Sequence, residues 1–316
     1  PEHVRVTVDL QRLLYDMFVG AFEVPVSTLC AQYGLAYAGE KPSLRMTQLQ
    51  YMDVPGCEPG HTKVGAKLDL LQASLRSNAK ATASAAYFYD KIGSLCECYH
   101  STGWSATLQD AKFVADGLLL MGISWLVPHG FFYSTHGLRK HDAPPTFFFQ
   151  MPFWPLFGEL SAYVERVGQI LAGTFIDADV LVIEPSSGVP SRQEQEVYEQ
   201  MMWELMSAHI DFHFVDTNIL ERGQTSEGKV CIKEIRAHTI IVPPVRVLED
   251  PLRAWLERFE GEGGTVLYGD CDSGLSRLQL LIEDELRPSL SIQENGNEAG
   301  AVLSVQRRSE EERRWF

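Results

Sequence analysis

The segment SLCECYHSTGW, residues 94–104, places a carboxylate, Glu97, in an apolar run and follows it with aromatic and imidazole side chains. The flanking cysteines repeat with a period of two, which predicts a buried strand with both thiols on one face. A carboxylate that ends a buried strand is held rigidly, and partial burial tunes its pKa for acid–base work. Glu97 is therefore a candidate catalytic residue, and the alternative is a glutamate paired with Arg139 or Lys140.

Polar residues also close the neighbouring strand-like runs. These runs are GLAYAGE with Glu40, TQLQYMDVPG with Asp53, SLCECY with Glu97 and His100, and ISWLVPHGFF with His129. Helix-like spacing precedes these runs over about 6–34 and lies between them over about 64–89 and 108–122. Strands that alternate with helices predict a parallel sheet, and the carboxyl edge of such a sheet is where barrels and doubly wound folds do chemistry. The sequence thus predicts a polar site at that edge.

The alternation resumes at Ala178, after an aromatic and proline-rich loop (134–155) and a helix (156–172). The predicted strands are 178–185, 212–216, 237–244 and 265–270, and the predicted helices are 192–210 and 250–264. This pattern predicts a second α/β unit of the flavodoxin-like kind. We expect a first domain over 1–175, a second over 176–290, and a tail or the start of a further domain over 291–316.

Composition excludes several classes of partner. A net charge of −15 argues against nucleic acid and against anionic membranes, since both need clustered basic residues. We also expect no apolar run long enough to span a bilayer. The chain begins at Pro1, so we expect a processed or truncated N-terminus, and the localisation stays open. The six cysteines have no metal-site spacing and are expected to be buried free thiols. Dinucleotide and serine-hydrolase motifs are not found.

The segment LCECYHSTGW, followed by DAKFVADGLLLMGISWLVPHGFFYSTHGLRKHDAPP and by FWPLFGELSAYVERVGQILAGTFIDADVLVIEP, resembles bacterial glycoside hydrolases of the alpha-L-rhamnosidase-like group. These are (β/α)8-barrel enzymes related to the beta-galactosidase superfamily. The resemblance covers about residues 5–270 and is most specific over 95–185. It implies that the chain holds the C-terminal half of a TIM-type barrel, followed by the flavodoxin-like domain that comes next in beta-galactosidases.

The resemblance also implies roles for the strand-end residues. SLCECY corresponds to the seventh barrel strand, which makes Glu97 the nucleophile or general base. The acid usually ends strand four, which is expected upstream of Pro1. Glycoside hydrolysis needs two carboxyl groups across the scissile bond, so Glu40 is a second catalytic candidate. Glu40 could instead bind a sugar hydroxyl or a calcium ion, since calcium prefers carboxylate oxygens.

The remaining candidates would bind substrate, a glycoside or an oligo- or polysaccharide. His129 is expected to bind a sugar hydroxyl. Asp53 could bind a hydroxyl or cap a turn, and His100 and His61 are weaker candidates for substrate binding. Tyr99, Trp104 and Tyr133 offer flat faces for stacking on a sugar ring, although each could belong to the core. Arg139 and Lys140 could orient carboxylates or an acidic sugar, or be solvated loop charges. No metal ligand set and no cofactor beyond calcium is predicted, and the flavodoxin-like domain could form a homo-oligomer. The alternative function is a carbohydrate-binding fragment without turnover.

Overall fold

The computed structural model describes most of the chain. The described residues are 2–40, 45–59, 72, 74–188, 190–288, 290, 293–294, 297–298, 307–309 and 314–315. His61, the first part of the helix predicted over 64–89, and most of the tail lie outside them.

A long helix begins the described chain. Helix α1 (Glu2–Phe18) continues through a π-helical turn (Val19–Glu23) into α2 (Val24–Gln32). This continuous helix is long and apolar enough to cross a membrane by length and composition alone, and little of it is buried. The expectation that no segment is long enough was therefore wrong, because a helix can continue past isolated charges such as Glu23. The buried Glu23 carboxylate accepts hydrogen bonds from Tyr37 and Gln48, which fixes this end of the helix to the body.

Four parallel strands form the first sheet, in the order β1-β2-β3-β4. They are β1 (Ala38–Glu40), β2 (Val54–Cys57), β3 (Leu95–Cys98) and β4 (Trp125–Pro128). The connecting helices are α3 (Ala79–Phe88) and α4 (Leu108–Met121), and α5 (Phe157–Leu171) follows β4. Short 3-10 turns lie at Met46–Tyr51, Leu75–Ser77, Gly137–His141, Trp154–Leu156 and Pro185–Gly188. The predicted βαβ pattern is thus present.

One face of this sheet is covered and the other is open. The thiols of Cys57, Cys96 and Cys98 are fully buried in the core that α3 and α4 share with the strands. On the other face, the side chains of Trp125 and Val127 in β4 are each 46% exposed. Parallel sheets are normally covered on both faces, so this open face is unusual for the fold class.

The second sheet is also parallel, with the order β12-β11-β6-β7. Its strands are β6 (Val180–Ile183), β7 (Phe212–Val215), β11 (Thr239–Val242) and β12 (Thr265–Tyr268). Its helices are α6 (Arg192–Ser207), α7 (Thr217–Glu221), α8 (Asp250–Gly261) and α9 (Gly274–Asp284). The sequence predicted these strands but not α9, nor the antiparallel sheet of β8 (Gln224–Ser226), β9 (Lys229–Ile232) and β10 (Ile235–Ala237). Numbered from β6, the strand order is 2-1-3-4.

The tail adds short antiparallel pairs. β5 (Thr174–Ile176) pairs with β15 (Arg307–Ser309), which pairs with β16 (Arg314–Trp315). A second pair joins β13 (Gln293–Glu294) to β14 (Asn297–Glu298). β5, the strand that precedes β6, therefore pairs with a segment near the C-terminal end of the sequence.

Helix α3 joins the two parallel sheets. Its sequence, AKATASAAYF, is dominated by small residues, and nearly every one of them is buried. Small side chains let the backbones of neighbouring elements approach closely. Ser84 Oγ accepts a hydrogen bond from the backbone N–H of Phe214 on β7, so α3 covers the edge of the second sheet. At the start of α3, Asn78 caps the helix and donates to the Tyr198 hydroxyl of α6 at 2.7 Å.

Candidate active site at the carboxyl edge of the first sheet

Four successive strands each bring an ionisable side chain to the carboxyl edge of the first sheet. Glu40 is the last residue of β1, Glu58 follows β2, Glu97 lies one residue before the end of β3, and His129 follows β4. Because the strands are parallel, these four residues share one edge. The predicted edge cluster is therefore assembled, with Glu58 in the place expected for Asp53.

The strand register puts Glu97 on the open face of the sheet. Glu97 pairs with Val127 of β4, and Leu95 pairs with Trp125. Side chains alternate along a strand, so Glu97 points away from Cys96 and Cys98, which are buried on the covered face. Glu97 is partly exposed, as a residue that contacts a substrate must be.

Arg76 connects two of the carboxylates. It lies in the turn before α3, and its Nε is 3.3 Å from Glu40 Oε2, while its Nη2 binds Glu58. Burial raises the pKa of Glu40, Arg76 opposes this shift, and the charges of Glu58 and Glu97 add to it. Glu40 therefore keeps its proton to a higher pH than an ordinary glutamate, as a proton donor requires.

Two imidazoles lie beside the carboxylates. His100 Nε2 is 3.6 Å from Glu58 Oε1 and 3.1 Å from the carbonyl oxygen of Pro59. The ring of His129 is 6.4 Å from that of His100, between centroids, and its Nδ1 is buried without a hydrogen-bond partner. A buried ring nitrogen that lacks a partner is able to bind a ligand hydroxyl.

The three residues that were predicted to stack on a sugar ring lie in different environments. Tyr99 is 2% exposed and packs on Phe147, with ring centroids 4.7 Å apart, so its ring belongs to the core. The indole of Trp104 is partly exposed and donates to the carbonyl oxygen of Lys140 at 2.8 Å. Tyr133 is 93% exposed and projects into solvent.

The predicted loop cations do not contact Glu97 in the described structure. Arg139 forms an exposed ion pair with Asp142 at 2.7 Å. Lys140 is exposed, and its backbone, not its ammonium group, holds Trp104. The alternative in which Arg139 neutralises Glu97 is therefore wrong, because Arg139 forms its ion pair with Asp142 three residues away.

Asp53 lies at the opposite edge from the site. Residues 46–51 form a 3-10 turn instead of the predicted strand, and β2 begins only at Val54. The Asp53 carboxylate accepts the backbone N–H of Tyr37 at 2.7 Å, which is a structural role. The prediction that Asp53 ends a strand was wrong, because Pro55 and Gly56 are inside β2 and do not stop it.

Sequence reasoning missed Glu58 and Arg76. Glu58 directly follows the buried run VPGC, and that position alone could have identified it as a strand-end carboxylate. Arg76 has no such signal, because it meets Glu40 and Glu58 only through the folding of the chain. Within the described ranges, no group of three or more His, Cys, Asp or Glu side chains is arranged to hold a metal ion, so the calcium site stays a prediction.

No protein-family model and no curated protein matches this chain. Several solved structures are similar to it. A rhamnosidase from Novosphingobium sp. PP1Y has a TM-score of 0.59 at 15% identity over 92% of this chain and 29% of that one. A GH42 beta-galactosidase from G. stearothermophilus has a TM-score of 0.57 at 12% identity, over 96% and 48%. A beta-galactosidase from Marinomonas ef1 has a TM-score of 0.52 at 11% identity, over 84% and 44%.

The chain thus spans between about a third and a half of the length of these structures. Identities this low carry information about the fold alone. The α/β architecture with parallel sheets that the sequence predicted is confirmed at this level. The chain has a glycoside hydrolase-like, mixed α/β fold with parallel sheets, of the kind found in part of a TIM-type barrel.

Proposed function

We propose that this chain carries part of the active site of a glycoside hydrolase, with Glu97 as nucleophile or general base. The observation that supports this most is the arrangement at one sheet edge, where Glu97 faces the open side and acts electrostatically on Glu40. Glycosidic cleavage requires two carboxyl groups, one of which donates a proton, and the raised pKa of Glu40 suits the donor.

In the proposed reaction, the protonated Glu40 carboxyl donates its proton to the glycosidic oxygen while the bond from that oxygen to the anomeric carbon breaks. Glu97, as carboxylate, either attacks the anomeric carbon or takes a proton from the water that does. His129 and Trp104 would contact sugar hydroxyls and a ring face. We infer an α-L-rhamnoside-type substrate from the sequence resemblance; the similar structures include both a rhamnosidase and beta-galactosidases.

Additional strands are part of the proposal. Among the described residues, β1 and β4 each have one strand partner, and Trp125 and Val127 lie on an open face. Both features suit an eight-stranded barrel to which the four described strands contribute. A strand outside this chain could then supply the acid in place of Glu40. The 2-1-3-4 order of the second sheet is that of flavodoxin-like folds, so we propose such a domain there, with homo-oligomer contacts.

A carbohydrate-binding role without turnover is the second candidate. The ion pairs of Arg76 with Glu40 and Glu58 favour it, because a carboxylate held in an ion pair does not serve as a proton donor. Glu97 is then the carboxylate of the cluster with no ion pair in the described structure. Under this alternative, the same edge would bind a saccharide and cleave nothing.

Hydrolysis of aryl glycosides, including the α-L-rhamnoside and the β-galactoside, tests the proposal. We expect Glu97→Gln to lower kcat by about 10²–10⁴-fold, while Glu159→Gln, an exposed glutamate of α5, leaves it unchanged. Equal turnover by wild type and Glu97→Gln would exclude the catalytic role. Should wild type cleave nothing but bind rhamnose in calorimetry, with weaker binding by His129→Ala, the second candidate is supported. Neither cleavage nor binding would contradict both.

A further inference from the structure

A cavity lies at the amino edge of the first sheet, on the far side from Glu97. It has a volume of about 940 Å³ and is reached between the residues that precede β3 and β4, helix α5 and the second α/β unit. Ser94, Ser124, Gly122, Tyr87 and His213 are among its walls. We call it the amino-edge cavity, and no role proposed for the carboxyl edge uses it.

Arg307 supplies a buried cation to this cavity. It is held by Thr174, whose hydroxyl accepts from Nε at 2.7 Å and whose carbonyl accepts from Nη2 at 3.0 Å. The residue is 8% exposed. Its hydrogen bonds to described residues come from Nε and Nη2, and none comes from Nη1. Arg307 and Gly122 both line the cavity. Arg307 therefore has a free donor that faces the cavity.

We call the part of the cavity beside Arg307 its deep end, and the buried charges there are mainly positive. Lys80 lies behind the wall, 3% exposed, and Asp211 is the carboxylate that acts on both Lys80 and Arg307. Burial lowers the pKa of Lys80 to about 8. Burial together with the charges of Lys80, Arg307 and Lys233 lowers the pKa of His213, a wall residue, to about 3.

The acidic residues among the described lining of the cavity are Asp90, Glu165 and Glu234, and each of them is engaged. Glu165 accepts from Gln169 Nε2 at 3.3 Å. Asp90 pairs with Lys233 at 2.9 Å, and Glu234 accepts from the Tyr87 hydroxyl at 2.6 Å. At the deep end, Lys80 and Arg307 share one carboxylate within the described residues. A buried charge without a counter-charge is costly, and a bound anion would remove that cost.

We propose that the deep end of the amino-edge cavity binds a small oxyanion, a phosphate or carboxylate group of an organic metabolite, through Arg307 Nη1, and that Lys233, which pairs with Asp90 in the cavity wall, adds its charge. Lys80 adds its charge from behind the wall. The cavity is large enough to hold the organic part of such a ligand, and the exposed indole of Trp125 lines it. The ligand would bind at the opposite end of the strands from the glycosidase site.

Calorimetric titration with inorganic phosphate and with acetate, at constant ionic strength set with sodium chloride, tests the proposal on the chain itself. We expect saturable binding of at least one of the two, and the stronger ligand distinguishes phosphate from carboxylate chemistry. Lys233→Gln should weaken that binding about tenfold, and Arg307→Met should weaken it about tenfold to a hundredfold, as expected for charge-assisted hydrogen bonds. Lys229→Gln, an exposed lysine of β9, is the control and should change nothing.

Lys80→Met provides an independent readout if Arg307→Met fails to fold. Because it removes one of two buried cations that share Asp211, it should raise the unfolding temperature in phosphate-free buffer and reduce the rise that phosphate produces. The proposal is overturned if neither anion binds saturably, if Lys229→Gln weakens binding as much as Lys233→Gln does, or if Lys80→Met leaves the phosphate response unchanged. None of these results depends on glycoside hydrolysis.

Discussion

Arg76 and Glu40 form an ion pair, with Nε 3.3 Å from Oε2, that ties the turn before α3 to the end of β1. This arginine is the group that lowers the pKa of Glu40, while burial, Glu58 and Glu97 raise it. The proton affinity of the proposed acid is therefore set by the balance between a buried environment and one guanidinium group.

Arg76→Met should raise the pKa of Glu40 further, because it removes the attraction and leaves the desolvation and the two carboxylates in place. The Cδ chemical shift of Glu40, followed by NMR over pH, measures this directly. Arg76→Lys should retain part of the effect. Arg192→Met breaks an exposed ion pair on α6 and serves as the control. A Glu40 pKa that stays constant or falls in Arg76→Met would show that the ion pair is not the controlling interaction.

Gly56→Ala should destabilise the fold. A Cβ at position 56 would lie 2.6 Å from Leu95 Cδ1 and 2.7 Å from the carbonyl oxygen of Gly39, so β1, β2 and β3 would have to separate. We expect a loss of about 1–3 kcal/mol in the free energy of unfolding, as for overpacking in a tight core. Urea denaturation measures it. Gly158→Ala in α5 meets nothing within 4 Å and should stabilise by up to about 1 kcal/mol. Equal effects at both positions would contradict the close approach of the strands.

The contrast between Glu97 and Asp53 shows how far the sequence could predict this edge. Glu97 is in a strand whose period-two pattern is visible locally, and the structure has that strand. Asp53 was misplaced because Pro55 and Gly56 are usually strand breakers, while pairing with β1 and β3 holds them inside β2. Tertiary pairing overrode the local rule there.

Contacts between segments that are distant in the chain could not be predicted from the sequence. Arg76 is 36 residues from Glu40 and comes near it only because α3 packs against the first sheet. Arg307 reaches the amino-edge cavity through the pairing of β15 with β5, which no periodicity indicates. The elements of both parallel sheets could be predicted locally, whereas the charge balance at either edge could not.

Tyr198→Phe should lower the free energy of unfolding by about 1–3 kcal/mol, because it leaves a buried N–H of Asn78 without its acceptor. Asn78 and Tyr198 are both fully buried, and Asn78 Nδ2 donates to the Tyr198 hydroxyl at 2.7 Å across the contact between α3 and α6. The free energy of unfolding in urea reports the loss. Tyr133→Phe, which changes an exposed ring, should stay within about 0.5 kcal/mol of wild type. A Tyr198→Phe variant as stable as wild type would mean that Asn78 finds another acceptor.

Glu184 should make the stability depend on pH. It follows β6, is 4% exposed, and accepts the backbone N–H of Ser186 at 3.0 Å. Burial raises its pKa to about 7, against the opposing hydrogen bonds from Ser186; Asp216 adds to the rise and Arg45 opposes it. The folded state therefore binds more protons than the unfolded state between about pH 4.5 and 7, so this contribution is complete below pH 4.5 and is lost as the pH rises through 7.

Glu184→Gln removes this titration while it keeps the size and an acceptor oxygen. A rise in pKa of about 2.5 units corresponds to about 3 kcal/mol, so the variant should gain about that much stability relative to wild type between pH 4.5 and pH 8. Urea denaturation of both proteins across this range gives the difference. His213 titrates in both proteins and cancels in that difference, whereas Asp216 interacts with Glu184 and contributes to it. A difference that does not change with pH would show that Glu184 is already ionised in the folded protein at pH 5, and that burial does not control this carboxylate.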